Sequence, residues 1–590
     1  MNPSSVYIIG GNKTKINFKI NGNSKVIFLD KTQKNYDNQL SLLKEFQENQ
    51  DTLRKKFLKL QEQVFKQIQH LIIRDDDYRY LLTNLFFESS PYKTDLIYKF
   101  FKLNLIIDFI KKNQIKKVYL FNVTEEIENF FNHNSHKLSY SVKKIFAKKF
   151  FFSLNFQLRM NSLGALLIHL ISEFKKKRTK ILTQNSMSRK VVLSSYPGHS
   201  FNNGFSSNYY AEVSTILNED YAWLFMYSGS ISKLHEENKL ISNHVNSFGF
   251  LDAYFSLINF KEIIIDFYRI RKKLKSIDLK NTFIFEDIDY YGFIKKDWLM
   301  SFSSVLINTL IYEKKFQNFF KANPKIEEII FLMEYHPWEM MLNKVAHKNK
   351  VKTKGTIHSI LRPNLMNWYY SKFMHPFYYT PSYVGANNNF SRKRFLDNGF
   401  NSNQVFMIEA QKYNYLHQNN NKLDNKKLKK KKSILISTSI NYRETKELLE
   451  IFFLANTKFE KVYIKEHPRM PIKPIIESSI KGFPSYELIE GSIQDAFEFS
   501  DIVYVANSSS VLLESVLLKK HTVSLISLST LPIPAIDKAS NLYFVEDESS
   551  LSNILTRLIN ESEIYMSKNN IINDLYLDED LRLWRNFLKV

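Results

Sequence analysis

Hydrophobic and polar positions follow two rhythms along this chain. Short unbroken apolar runs recur at Lys117-Val118-Tyr119-Leu120-Phe121, Val191-Val192-Leu193 and Ile329-Ile330-Phe331-Leu332. Further runs follow at Ser433-Ile434-Leu435-Ile436, Lys461-Val462-Tyr463-Ile464 and Asp501-Ile502-Val503-Tyr504-Val505. Runs of this length, separated by helical stretches, predict parallel strands covered on both faces. Residues Val6 to Leu29 alternate in strand fashion and include the turn-forming pair Asn21-Gly22. From about Asn38 to Ile73 the rhythm is helical. Phe46, Leu53, Phe57, Leu60, Val64 and Leu71 recur in alternating three- and four-residue steps, with Gln at the missing beats. Such a seam suits packing on its own domain or a short coiled coil, so helix 38–73 also offers an oligomer contact. A second helical stretch runs from about Tyr78 to Lys112.

One segment breaks both rhythms. Gln418 to Lys432 is asparagine-rich, then strongly basic, and has no apolar periodicity, as in a solvated linker. The expected organisation is an N-terminal, mostly helical extension (1–110), an α/β domain (111–417), the basic linker (418–432) and a second α/β domain (433–590). Two such domains place a ligand cleft between them at the carboxyl ends of their strands.

Composition narrows this picture. The 590 residues suffice for three or four units at about 150 residues each. With no cysteine, disulfides, thiolate nucleophiles, cysteine-bound zinc and iron–sulfur clusters are excluded. Lys and Arg number 83 against 59 Asp and Glu, a net charge of +24 that calls for an anionic partner. Part of that charge is a general lysine bias and part lies in the linker. Neither a glycine-rich aromatic RNA motif nor a helix-turn-helix is visible, so nucleic acid is not the expected partner. Residues 1–20 carry no basic-then-apolar leader. The most lipid-like stretch, Met160 to Ser172, falls short of the roughly 18 residues a span needs. It runs into Lys175, Lys176, Lys177 and Arg178 and reads first as a buried helix with a solvated end, or else as a peripheral inner-membrane contact. A cytoplasmic protein is expected.

The C-terminal half carries the clearest chemistry. Strand Lys461 to Ile464 runs into Lys465-Glu466-His467-Pro468-Arg469, where the proline sets a loop that places His467 and two cations at the strand's end. The following strand, Asp501 to Val505, runs into Asn507-Ser508-Ser509-Ser510 and then an apolar helix. Free backbone N–H groups, hydroxyls and a helix start together suit a phosphate. Acidic metal motifs are not persuasive, neither Asp75-Asp76-Asp77 nor Asp287-Ile288-Asp289.

These two segments resemble the HP and S motifs of bacterial sugar transferases of the two-domain GT-B type, among them sialyltransferases, capsule Kdo transferases and CDP-glycerol polymerases. Upstream, Met333-Glu334-Tyr335-His336-Pro337-Trp338-Glu339, Gly355-Thr356-Ile357-His358-Ser359, Pro381 and Asn398-Gly399 are similar in order and spacing to bacterial surface-carbohydrate biosynthesis proteins. So are Asn208-Tyr209-Tyr210, Trp223-Leu224 and Asn441-Tyr442. The resemblance covers roughly residues 186–520, and His336 stands where that family usually has Gln. It implies two Rossmann-like domains, the first binding a glycan or lipid-linked glycan acceptor and the second a nucleotide-sugar donor. His467 would donate to the donor phosphate, held also by Asn507, Ser508, Ser509 and Ser510, with Lys465, Pro468 and Arg469 in the same loop. The acceptor's base would be Glu334, then His358, then Glu339, which alternatively orients a neighbour. A structural alternative pairs Glu334 with Lys344 or Arg362, and Trp338 reads as packing. The implied reaction is inverting, metal-independent transfer of a CMP-activated acidic sugar, Kdo or a nonulosonate, onto a surface polysaccharide or lipopolysaccharide. The alternatives are a CDP-glycerol-type glycerophosphotransferase and a non-enzymatic basic scaffold for nucleic acid or membrane.

Overall fold

Three parallel sheets organise the chain. In the computed structural model the described residues are 3–10, 24–29, 40–145 and 189–560, with short gaps that include 362–364, 417–432, 468–469, 508 and 528–538, and most of 575–590. Between 146 and 188 only isolated positions are described. Asn21-Gly22, the linker, most of Met160 to Ser172 with its basic run, Arg362, Pro468, Arg469 and Ser508 therefore lie outside the described residues.

The first sheet joins β1 (Ser5–Ile9), β2 (Ser24–Phe28), β3 (Lys117–Phe121) and β4 (Ser141–Ile145) in the order β2-β1-β3-β4, all parallel. The expected boundary at 110/111 is thereby corrected. Strand β3 does not open the second unit; it pairs with β1 and β4, so the N-terminal unit reaches residue 145 and carries a sheet beside its helices. Those helices are α1 (Leu42–Arg74), α2 (Leu85–Glu88) and α3 (Leu96–Asn113). The stretch from Tyr78 to Lys112 is not one helix, because Asn84 caps α2 by accepting from the Phe86 N–H at 2.8 Å and Ser89 turns left-handed beyond it.

Helix α1 spends its seam inside the chain. Phe46, Leu53, Phe57, Leu60 and Val64 are buried, with the Phe46 ring 5.5 Å from Phe101 and the Phe57 ring 5.0 Å from Phe100 on α3. Farther along, Phe65 lies 4.9 Å from Phe377 of the second unit. The apolar face of α1 is covered by α3, and one hydrophobic core runs continuously from the first unit into the second.

The second sheet holds β5 (Lys190–Tyr196), β6 (Tyr221–Tyr227), β7 (Phe248–Phe250), β8 (Glu328–Leu332), β9 (Lys352–Thr356), β10 (Tyr383–Ala386) and β11 (Val405–Met407). Their spatial order is β11-β10-β9-β8-β5-β6-β7. The third sheet holds β12 (Ser433–Ser437), β13 (Lys461–Lys465), β14 (Glu487–Leu488), β15 (Ile502–Ala506), β16 (His521–Leu525) and β17 (Leu542–Val545), in the order β14-β13-β12-β15-β16-β17. Counted from each sheet's own first strand, both follow the 3-2-1-4-5-6 order of nucleotide-binding doubly wound sheets, the second with one strand added. The chain is thus α/β with two Rossmann-like units behind a helix-bearing N-terminal region.

The last helix does not stay with the third unit. Helix α8 (Arg582–Lys589) buries Trp584 and Phe587 against the second sheet, where Phe406 lies 5.8 Å from Phe587. Glu409, just beyond β11, accepts from the N–H groups of Leu583 and Trp584 at 2.7 and 2.8 Å and so caps α8. The expected domain 433–590 is corrected at its end: from Leu575 onward the described chain packs on the second unit, beginning where the Ala410 N–H donates to the Tyr576 carbonyl at 2.7 Å.

Candidate active site

Strand β8 ends at Leu332, and the loop beyond it carries the first group of candidate residues. Pro337 opens helix α4 (Pro337–Lys348), a position its fixed φ suits. Two residues into that helix, Glu339 is 3% exposed and turns back to accept from the Glu334 N–H at 3.0 Å and the Tyr335 N–H at 2.9 Å. Burial pushes the Glu339 pKa up to about 8, opposed by His336 and by these N–H groups. Both carboxylate oxygens are spent on the loop's own backbone, so Glu339 orients the loop.

The loop in turn presents Glu334 and His336. The Glu334 side chain remains 45% exposed, and its Oε2 lies 2.9 Å from His336 Nε2. The other ring nitrogen, Nδ1, lies 3.2 Å from Oε1 of Glu88, at the end of α2. An imidazole with a carboxylate at each nitrogen is a cation. Burial opposes that charge, yet the hydrogen bonds to Glu334 and Glu88 raise the His336 pKa to about 10. Burial likewise opposes the Glu334 carboxylate, and the His336 hydrogen bond and charge outweigh it, holding Glu334 at about 2. Lys344 is not the partner of Glu334; it sits 3.1 Å from Glu313 and 3.3 Å from Asp76. Trp338 packs against Phe331 and Tyr312.

His358 follows the adjacent strand β9 by two residues, its ring 5.7 Å from Tyr209 in an edge-to-face contact. Burial lowers its pKa; Glu334 pulls it up and Lys412 pushes it down. The balance leaves a neutral imidazole at neutral pH, within electrostatic reach of an ionised carboxylate. Gly355 in β9 is required by packing, since a Cβ there would meet Met333 Sδ at 2.8 Å and Pro381 Cγ at 3.2 Å.

The second group belongs to the third sheet. Its strand order reverses between β12 and β15, the place where doubly wound sheets bind ligands. Thr438, beyond β12, accepts from the His467 N–H at 3.0 Å, which ties the loop after β13 to that point. Asn507, beyond β15, is 3% exposed; its Oδ1 accepts from Ser524 at 3.3 Å, while its buried Nδ2 has no hydrogen-bond partner among the described residues. Ser509 closes a local turn, accepting from the Val511 N–H at 3.3 Å. Lys465 points elsewhere: its Nζ donates to the carbonyls of Ile489 and Gly491 at 3.0 and 2.6 Å, beside β14.

Lys412, absent from the expected set, joins the two groups. It sits in the turn after β11, and its Nζ donates to Ser510 Oγ at 2.6 Å and lies 3.4 Å from Glu514 Oε1. It is thus the cation at the start of the helix that follows Ser510, and it also acts on His358. No pattern marks it in the sequence. Glu88 was equally unmarked, a single acid at the end of a four-residue helix. Of the expected residues, then, Glu334, His358 and Glu339 cluster on the second unit, and His467, Asn507, Ser509 and Ser510 on the third. Among the described residues no three His, Asp or Glu side chains converge to hold a metal. Asp75 and Asp77 pair instead with Lys273, and Asp76 with Arg79.

No family model and no curated protein sequence matches the chain. Several solved structures are similar at low identity and TM-score. The UDP-GlcNAc 2-epimerase from Neisseria meningitidis bound to UDP-GlcNAc is 12% identical, with 68% of this chain and 100% of that one covered at a TM-score of 0.38. TarM is 12% identical over 68% of this chain and 97% of its own, at 0.35. MurG of Acinetobacter baumannii is 10% identical over 63% and 90%, at 0.31. No helix among the described residues is long and apolar enough to cross a membrane.

Proposed function

We propose that the protein is a GT-B-type glycosyltransferase that moves a sugar from a nucleotide donor, a CMP-linked acidic sugar of the Kdo or nonulosonate class, onto a surface-glycan acceptor. One observation carries this reading: Glu334 and His358 each lie two residues beyond the ends of adjacent strands of one Rossmann-like sheet. Lys412 links that sheet to the serine loop at the switch point of a second such sheet. The acceptor hydroxyl gives its proton to His358, an imidazole that burial keeps neutral, rather than to a carboxylate held at about 2. The acceptor oxygen bonds to the anomeric carbon from the side opposite the leaving group. The bond from that carbon to the phosphate oxygen breaks, and its electron pair leaves with the nucleotide. Glu334 stabilises the imidazolium that forms. Lys412, His467, the Asn507 amide and the serine hydroxyls meet the charge developing on the phosphate.

Thermal unfolding in the presence of CMP, CDP and UDP tests the donor site. CMP should raise Tm most, and His467→Ala should erase that rise. No response to any cytidine nucleotide removes the reading; a response to CDP alone moves it to a CDP-linked donor. With donor and acceptor in hand, His358→Gln should lower kcat by roughly 100-fold or more, the usual cost of losing a general base.

A further inference from the structure

Glu88 is a carboxylate that its own helix does not explain. Its side chain is 1% exposed, at the last residue of the four-residue helix α2. One oxygen, Oε2, has no hydrogen-bond partner among the described residues. A buried carboxylate is tolerated only when cations meet it, and two do: Lys93, in an ion pair, and His336 Nδ1 at 3.2 Å. The turn that carries it is held from behind. Gln61 of α1 is 2% exposed, and its Nε2 donates to the Phe86 carbonyl at 2.6 Å and to Ser89 Oγ at 2.7 Å. From the second unit, Ser301 Oγ accepts from the Leu85 N–H at 3.0 Å and fixes the start of the same helix.

We propose that Glu88 is a positioning residue of the candidate site, contributed by the N-terminal unit: it pins the ring of His336, and the ring's other nitrogen aims the Glu334 carboxylate at the cleft. A ring held at one nitrogen only can turn about its χ2 bond; held at both, it has a single orientation. The N-terminal unit is then part of the machinery: Gln61 of α1 braces the turn that carries Glu88, and Glu88, His336 and Glu334 form a continuous chain from it. The charged and titratable groups around His336 are Glu88 and Lys93 from the first unit, Glu334, Glu339 and His358 from the second, and Lys412 beyond His358. This inference rests on the reading of Glu334 as part of the reaction site, but the link between Glu88 and His336 can be measured without any substrate.

Nitrogen-15 spectra of the imidazoles in the full-length protein, with His336 assigned by its loss in His336→Gln, give its protonation state. In the wild type His336 should stay doubly protonated through neutral pH. Glu88→Gln should lower its midpoint by roughly 1–3 pH units, the effect of removing one opposite charge at close range. Glu88→Asp, which keeps the charge, should retain most of the elevation. An unchanged midpoint in Glu88→Gln, or a wild-type His336 titrating like a free imidazole, overturns the proposal. If Glu88→Gln unfolds, the cycle of Glu88→Asp with His336→Gln replaces it: non-additive changes in Tm support the link and additive ones overturn it. In turnover, Glu88→Gln should lower kcat and shift its pH profile while the donor KM stays in place. A His336 that behaves as expected in a protein without nucleotide response removes the transferase reading and leaves the link standing.

Discussion

Tyr335 holds φ at 58° between the two charged residues of its loop, a backbone state that a bulky side chain adopts only under constraint. Its ring meets Trp368 at 5.1 Å and Tyr370 at 5.4 Å, and its N–H is held by Glu339. The kink lets Glu334 reach open space while its neighbour is locked in the core. Glu339→Met should therefore cost about 1–3 kcal/mol, measured by urea unfolding, because it strands two backbone N–H groups. The charge pair also sets a pH window. His336 has its folded pKa raised to about 10, so its stabilisation is complete below the unfolded value of about 6.5 and is lost as pH rises through 10. Glu334, depressed to about 2, contributes above its unfolded value and loses that contribution only as pH falls through 2. Tm should decline between about pH 6.5 and 10, and His336→Gln should flatten that decline. Glu334 raises the His358 pKa, so Glu334→Gln should move the acid limb of the rate profile to lower pH as well as slow the reaction.

At the scale of elements, the strands of the second and third sheets were legible because burial on both faces leaves unbroken apolar runs, and the residues just beyond them gave most of the candidate site. The seam of α1 was legible too, but its partner was not: a periodic face says that it is covered, not by what. Gln61, beside that seam and next to Leu60, is buried for a reason visible only in three dimensions, since it holds the turn that carries Glu88. Gln61→Leu should extend the apolar stripe yet lower stability by about 1–3 kcal/mol, read from denaturant midpoints, because the Phe86 carbonyl loses its side-chain donor. Helix α8 escaped the sequence reading because eight residues give too little periodicity to place them on a unit more than a hundred residues upstream. Trp584→Ala should cost about 3–5 kcal/mol by the same measurement, the range for emptying a fully buried aromatic site.

At the scale of the molecule, the net charge of +24 carried less information than its local exceptions. The cleft depends on a few paired charges: Glu334 with His336, Lys412 with Glu514, and Arg443 of the third unit 4.0 Å from Asp95 of the first. That last contact, between exposed partners, is a weak latch across the units. Lys412 and Glu88 were illegible because each acts across a junction between units, and nothing in the local sequence encodes the neighbour.

The return of α8 to the second unit has a mechanical consequence. The polypeptide passes from the second unit to the third between Tyr413 and Ser433, and comes back between Asn560 and Leu575. The two crossings meet the second unit side by side, because the Ala410 N–H donates to the Tyr576 carbonyl at 2.7 Å. The third unit is therefore joined to the second by two covalent connections at one place, and cutting either one alone does not free it.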